Sequence, residues 1–118
     1  MKTIFVVDDC NVNLKAADDS LSSSYNVFTL ACASNMFDLL DNVMPDLILL
    51  DIMMPDIDGF EALKKLKNDK RYTEIPVIFM TGKNDAGAEA LGYNMGAVDF
   101  ISKPFSPSAL LNRISTHL

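Results

Sequence analysis

Three carboxylates, one hydroxyl and one ammonium stand directly behind short apolar runs in this chain. Asp8 and Asp9 follow TIFVV, Asp51 follows LILL, Thr81 follows VIFM, and Lys103 follows VDFIS. If those runs are parallel strands of one sheet, all five side chains arrive at the same edge. Three close carboxylates repel, and one or more would stay protonated unless a cation intervened. Oxygen ligands of this kind suit Mg²⁺, which accepts one or two carboxylates, keeps several waters and pairs with a phosphoryl group. Lys103 would supply a second positive charge and Thr81 a hydrogen-bond donor. Each piece alone has a blander reading. An Asp-Asp pair after a strand is more often a solvated helix start, a Lys-Pro is usually a turn, Thr-Gly is common, and Asp51 could cap the loop that follows. Their joint occurrence at four strand ends, in order, is much harder to obtain by accident.

The elements that must position these groups are legible as an alternation. Residues 3–7, 26–31, 47–50, 75–80 and 98–101 are short, rich in Val, Ile, Leu and Phe, and bounded by polar or breaking residues, as strands are. Runs apolar on both faces belong in a covered parallel sheet. Between them, Met36, Leu39, Leu40 and Val43 follow helical spacing, so 34–43 is expected to be an amphipathic helix. Leu14, Ala17 and Leu21 give a weaker stripe, and Phe60, Leu63 and Leu66 another after Gly59. The last helix is the best marked, with Ser106 as N-cap, Pro107 at the first position, and Leu110, Leu111, Ile114 and Leu118 on one face. Residues 86–95 are expected to form a marginal, mobile helix, because Gly87 and Gly92 lower its propensity. Five β-α units in succession predict one α/β domain over residues 1–118, a parallel sheet with helices on both faces. In such sheets ligands bind outside the carboxyl ends of the strands, where strand order reverses.

Composition narrows the function. The chain has 118 residues, is 49% hydrophobic and 22% charged, and carries a net charge of −6, enough for one real core. Ten basic residues spread along an acidic chain do not make a phosphate-backbone footprint, so no direct nucleic-acid contact is expected. No stretch approaches a membrane span, and Asp8 and Asp9 cut the first apolar run too short for a signal peptide. A cytoplasmic location follows, with Cys10 and Cys32 as reduced thiols near a core. No glycine precedes Gly59, so the first β-α turn is not a Gly-rich phosphate cradle. The only histidine, His117, is penultimate and expected to be a solvated helix end, which excludes the usual nucleophile-histidine pairs.

The segments FVVDDCNVN, LILLDIMMPDIDGFE, VIFMTG and GAVDFISKPFSP together resemble the receiver domain of two-component response regulators, over essentially the whole chain. The resemblance implies a flavodoxin-like, doubly wound five-stranded sheet of order 2-1-3-4-5. It implies that Asp51 is the phosphoacceptor, that Asp9 is a direct Mg²⁺ ligand with Asp8 acting through water, and that the Met53 backbone carbonyl completes the protein's share of the metal shell. Thr81 and Lys103 would each hold a phosphoryl oxygen. Phe100 occupies the aromatic switch position, turning inward when Thr81 moves and changing the 82–105 face. The partners implied are a histidine kinase or phosphotransfer protein and a downstream output protein or domain, with the 86–118 face open to a homodimer. Such a chain is a switch with self-phosphorylation and self-dephosphorylation chemistry, not an enzyme with an external substrate.

Some residues depart from the commonest pattern. Phe100 replaces a frequent tyrosine, so an output contact through its hydroxyl is absent. Gly82 stands where alanine is usual and should loosen the Thr81 loop. Met53 and Lys83 flank the site mouth, and an apolar Met53 should impede attacking water. Two other classes compete. A phosphate-independent interaction module has no need of the acidic pair, Asp51, Thr81 and Lys103 together. A small phosphatase would lack a separate general acid, and a flavodoxin-like cofactor binder the expected phosphate loop.

Overall fold

The computed structural model of the chain describes residues 1–82 and 86–118. Strands and helices alternate: β1 Thr3–Val7, α1 Asn11–Leu21, β2 Asn26–Leu30, α2 Ala33–Leu40, β3 Leu47–Asp51, α3 Gly59–Lys67, β4 Val77–Thr81, α4 Ala86–Met95, β5 Asp99–Ser102 and α5 Pro107–Thr116. All pairings are parallel and the sheet order is β2-β1-β3-β4-β5, as the alternation and the resemblance predict. Strand order reverses between β1 and β3, where Val7 lies beside Leu50. That register brings the residues after β1 and the last residue of β3 to one spot.

Side chains alternate across the pleat, so the inner strands feed two cores. Ile4, Val6, Leu47, Leu49, Ile78 and Met80 meet Leu14, Ala17 and Leu21 of α1 and Leu110 and Ile114 of α5. Phe5, Val7, Ile48, Leu50, Val77 and Phe79 meet Ala33, Met36 and Leu40 of α2 and Ala62, Leu63 and Leu66 of α3. β1 is buried from Ile4 onward and β3 throughout, which is why their sequences are continuous apolar runs. β2 has only exposed and half-buried positions, as an edge strand with a neighbour on one side only.

Several boundaries move. Ile75 and Pro76 precede β4 rather than opening it, and β5 begins at Asp99, leaving Val98 outside. α2 stops at Leu40, and Val43 packs on the core from beyond the helix end. Leu118 lies past α5 and is exposed, since the helix ends at Thr116. Cys10 is exposed at the N-cap of α1 rather than near a core, and Cys32 is half-buried at the N-cap of α2. His117 is no solvated end, because its Nε2 lies 3.0 Å from Asp99 Oδ2. Among the described residues no helix is long and apolar enough to cross a membrane.

Candidate functional site

Asp8 and Asp51 are the only buried charged residues among those described, at 0% and 3% exposure. Each stands where a strand buried over at least its last four residues reaches the sheet edge, so strand burial delivers the carboxylate into partial desolvation. Asp9 is exposed, one residue further into the turn. One carboxylate oxygen from each of Asp8, Asp9 and Asp51 lies within 4.8 Å of the others. A cluster of hard oxygen donors this tight suits a small divalent cation better than a set of free charges.

Lys103, at the end of β5, reaches into the cluster. Its Nζ donates to Asp51 Oδ1 at 3.0 Å and to Asp8 Oδ2 at 3.2 Å, and its side chain is only 16% exposed. Its backbone N–H donates to the Thr81 carbonyl at 2.7 Å, which ties the β5 end to the β4 end. The next peptide, Lys103–Pro104, is cis. Burial opposes the lysine's charge, but Asp51 and Asp8 outweigh it and hold its pKa above the ordinary value. Burial likewise pushes the Asp51 carboxyl upward, the Asp8 charge adds to this, and the contacts with Lys103 oppose it. Two dehydrated carboxylates against one ammonium leave the site with surplus negative charge.

Asp51, Met53, Thr81, Gly82, Ala88 and Lys103 line a cavity of about 420 Å³. Met53 is 77% exposed at the rim, and Lys83, expected on the opposite rim, lies outside the described residues. The loop that carries Met53 is closed by the Gly59 N–H, which donates to the Ile52 carbonyl at 2.7 Å, while Asp58 caps α3 through Glu61 N–H at 2.8 Å. Gly59 is needed for space rather than for an unusual turn. A Cβ there would sit 2.6 Å from the Asp51 carbonyl oxygen and 2.8 Å from Ile52 Cα.

Phe100 lies away from this cavity. It pairs with Phe79 in the β4–β5 register and is 5% exposed. Its ring packs 5.4 Å from that of Phe79 and 5.2 Å from that of Tyr93.

Some supporting residues are not legible as site residues in the sequence. Asn13 Nδ2 donates to Asp8 Oδ2 at 3.2 Å, and the Cys10 N–H donates to Asp8 Oδ1 at 2.9 Å, so the first turn of α1 orients the carboxylate. Asp56 Oδ2 accepts from the Ser34 N–H at 2.8 Å and the Ser34 hydroxyl at 2.9 Å, capping α2 from the loop that carries Met53. Neither N-cap residue, Cys10 or Cys32, caps its own helix through its side chain, and that vacancy at Cys32 is the one local hint of the Asp56 contact.

A family model described as "Response regulator receiver domain" matches residues 4–115. The chain is 37% identical over 116 residues to a probable cyclic di-GMP phosphodiesterase of Vibrio cholerae, covering 98% of this chain and 26% of that protein. It is 36% identical over 112 residues to response regulator PleD of Caulobacter vibrioides, covering 94% and 25%. The chain therefore spans about a quarter of the length of these relatives. Among solved structures, chemotaxis protein CheY4 of Vibrio cholerae superposes with a TM-score of 0.94 at 26% identity, covering 100% of this chain and 99% of that one. The BeF3-activated DrrB receiver domain superposes with a TM-score of 0.89 at 31% identity, covering 99% and 97%.

Proposed function

The chain belongs to the response regulator receiver domain family of two-component signalling, and from that premise we propose that it is a phosphorylation-dependent switch with Asp51 as phosphoacceptor. The observation that carries the proposal is the lysine that bridges Asp51 and Asp8 at 3.0 and 3.2 Å inside a three-carboxylate cluster. An inert interaction module has no reason to keep two carboxylates dehydrated around one ammonium, which is a costly arrangement without a ligand. The activated DrrB neighbour lends further support, since its fold accepts a beryllofluoride group.

In the proposed reaction an Asp51 oxygen attacks phosphorus in line with the bond to a phosphohistidine nitrogen or a small acyl phosphate oxygen. The new O–P bond gives an acyl phosphate on Asp51, and the electron pair of the broken bond leaves with the donor. Lys103 shifts from Asp8 towards an equatorial phosphoryl oxygen, and the Thr81 hydroxyl donates to another, so positioned charge carries the catalysis. Asp8, Asp9, Asp51 and the Met53 carbonyl would hold Mg²⁺, which when bound supplies the remaining positive charge. Asn13 and the Cys10 N–H keep the Asp8 carboxylate aimed at that place. Movement of Thr81 then biases a two-state equilibrium of Phe100 and the 82–105 face, which the output reads.

The donor is a histidine kinase or phosphotransfer protein, met in the cytoplasm. The output is a separate domain or protein, and relatives as different in name as a phosphodiesterase and PleD leave its chemistry open. Intact mass after incubation with acetyl phosphate tests the proposal on wild type and Asp51→Asn, with and without Mg²⁺. One Mg²⁺-dependent phosphoryl adduct, lost in the variant, is the expected result. No adduct on the wild type would favour the phosphate-independent module.

A further inference from the structure

We propose that Gly92 is the positioning residue for Phe100: the space left by its missing side chain seats the ring inside the protein, and any side chain at 92 evicts it. The inference deepens the switch reading and rests on it only where ring position is tied to output.

α4 is a poor helix for packing. Among its described residues Gly92 alone is buried, while Leu91 and Tyr93 on either side are 48% and 47% exposed. The helix therefore meets the core through half-buried Met95 at its end and, at its buried position, through Gly92, which has no side chain of its own. What fills that position is the Phe100 ring. A Cβ built on Gly92 would lie 2.5 Å from Phe100 Cζ, 2.9 Å from Phe100 Cε1 and 3.1 Å from Phe79 Cδ2. Non-bonded carbons essentially never approach that closely, so a side chain at 92 requires the Phe100 ring to shift from its seat or the helix to move off it.

The ring is the part that yields. Phe100 backbone sits in register beside Phe79, its N–H donates to Asp99 Oδ1 at 2.8 Å, and its carbonyl accepts from Arg113 Nη1 at 3.0 Å. The clashing atoms are the far end of a side chain that turns about two bonds. Tyr93, half-exposed, packs its ring 5.2 Å from that of Phe100. Glycine inside a helix is disfavoured against alanine through its backbone entropy. Its presence at the one buried position among the described residues of α4 fits a requirement of the ring and not of the helix.

Fluorine NMR on protein labelled with 4-fluorophenylalanine tests the proposal without phosphate. The chain has 7 phenylalanines, and the Phe100 resonance is the one missing from Phe100→Leu. In the wild type that resonance should show no shift between H₂O and D₂O. In Gly92→Ala it should move towards the free amino acid and gain the solvent isotope shift of an exposed ring. A solvent-shielded Phe100 resonance in folded Gly92→Ala would overturn the proposal.

A thermal comparison covers the case of a poorly folding variant. Leucine lacks the two ring atoms that clash, so Gly92→Ala should lower the melting temperature of the wild type and raise that of Phe100→Leu. A loss of equal size in both backgrounds would also overturn it. Acetyl phosphate should still label Gly92→Ala at Asp51. No label on the wild type would sink the switch reading and leave the ring result standing.

Discussion

Replacing Lys103 with methionine removes the ammonium and keeps the length of its stem. Asp8 and Asp51 side chains, 0% and 4% exposed, would then face each other without the cation that bridges them. Removing one partner of a buried ion pair costs about 3–5 kcal/mol, because the other charge stays buried. The lower end applies here, since Lys103 is itself 16% exposed and Asp8 keeps its bonds from Asn13 and the Cys10 N–H. An unfolding entropy of about 2.1 cal/mol/K per residue converts about 3 kcal/mol into a fall of about 12 °C in melting temperature. The assay is circular dichroism melting at neutral pH and low salt, with chelator and then with Mg²⁺. Lys103→Met should recover more on Mg²⁺ addition than the wild type gains, because in the wild type the ammonium already occupies Asp8 Oδ2. Adding Asp51→Asn to Lys103→Met should restore part of the loss by removing one of the two opposed charges. A Lys103→Met protein melting within about 3 °C of wild type in chelator, under 1 kcal/mol, would refute the reasoning.

Asp56 caps α2 across the fold, and although its own burial raises its pKa, the Ser34 and Ile57 N–H groups and the Ser34 hydroxyl outweigh that and bring it to about 2 from 3.8. A depressed carboxyl stabilises the fold above its unfolded pKa and loses that contribution as pH falls through the folded value. Asp56→Ala should therefore melt about 4 °C below wild type at pH 7, the worth of one N-cap. The gap should narrow in melts below pH 3.8, and a gap independent of pH would deny the carboxylate's charge a role. Gly59→Ala places a methyl against the Asp51 and Ile52 backbone, which cannot turn aside, so a loss of about 2–3 kcal/mol in urea unfolding is expected. An unchanged midpoint would mean the loop relaxes freely. Met53→Asn should shorten the lifetime of the phosphorylated protein about fivefold, the equivalent of about 1 kcal/mol from one hydrogen bond to the attacking water. Decay of the phosphoryl adduct by mass reads this directly, and an unchanged rate would remove Met53 from control of the lifetime.

The amino-acid order by itself determined the alternation of strands and helices, and through it the edge at which Asp8, Asp9, Asp51, Thr81 and Lys103 gather. Those residues were legible because each lies within two positions of the end of an apolar run, and β-α repetition makes all the runs point the same way. The resemblance added their roles. Of the boundaries that differ, Ile75 stays buried and Val43 stays packed on the core beyond the hydrogen-bonded element, whereas Val98 is exposed outside β5. Tertiary structure alone decided which groups touch. Asp8 meets Asp51 because β1 pairs with β3 instead of only its sequence neighbour β2, and Lys103 bridges them across 95 and 52 positions of chain. The Asp56 cap on α2, the space demanded at Gly59 and the seat that Gly92 leaves for Phe100 were equally hidden. Glycines 87 and 92 look alike as weak points of a helix, yet only packing shows that a phenylalanine ring from β5 occupies the second. Periodicity reports which side of an element is apolar, a local property. Close approach between remote segments depends on the volumes of all the side chains packed between them, and that sum exists only in the folded chain.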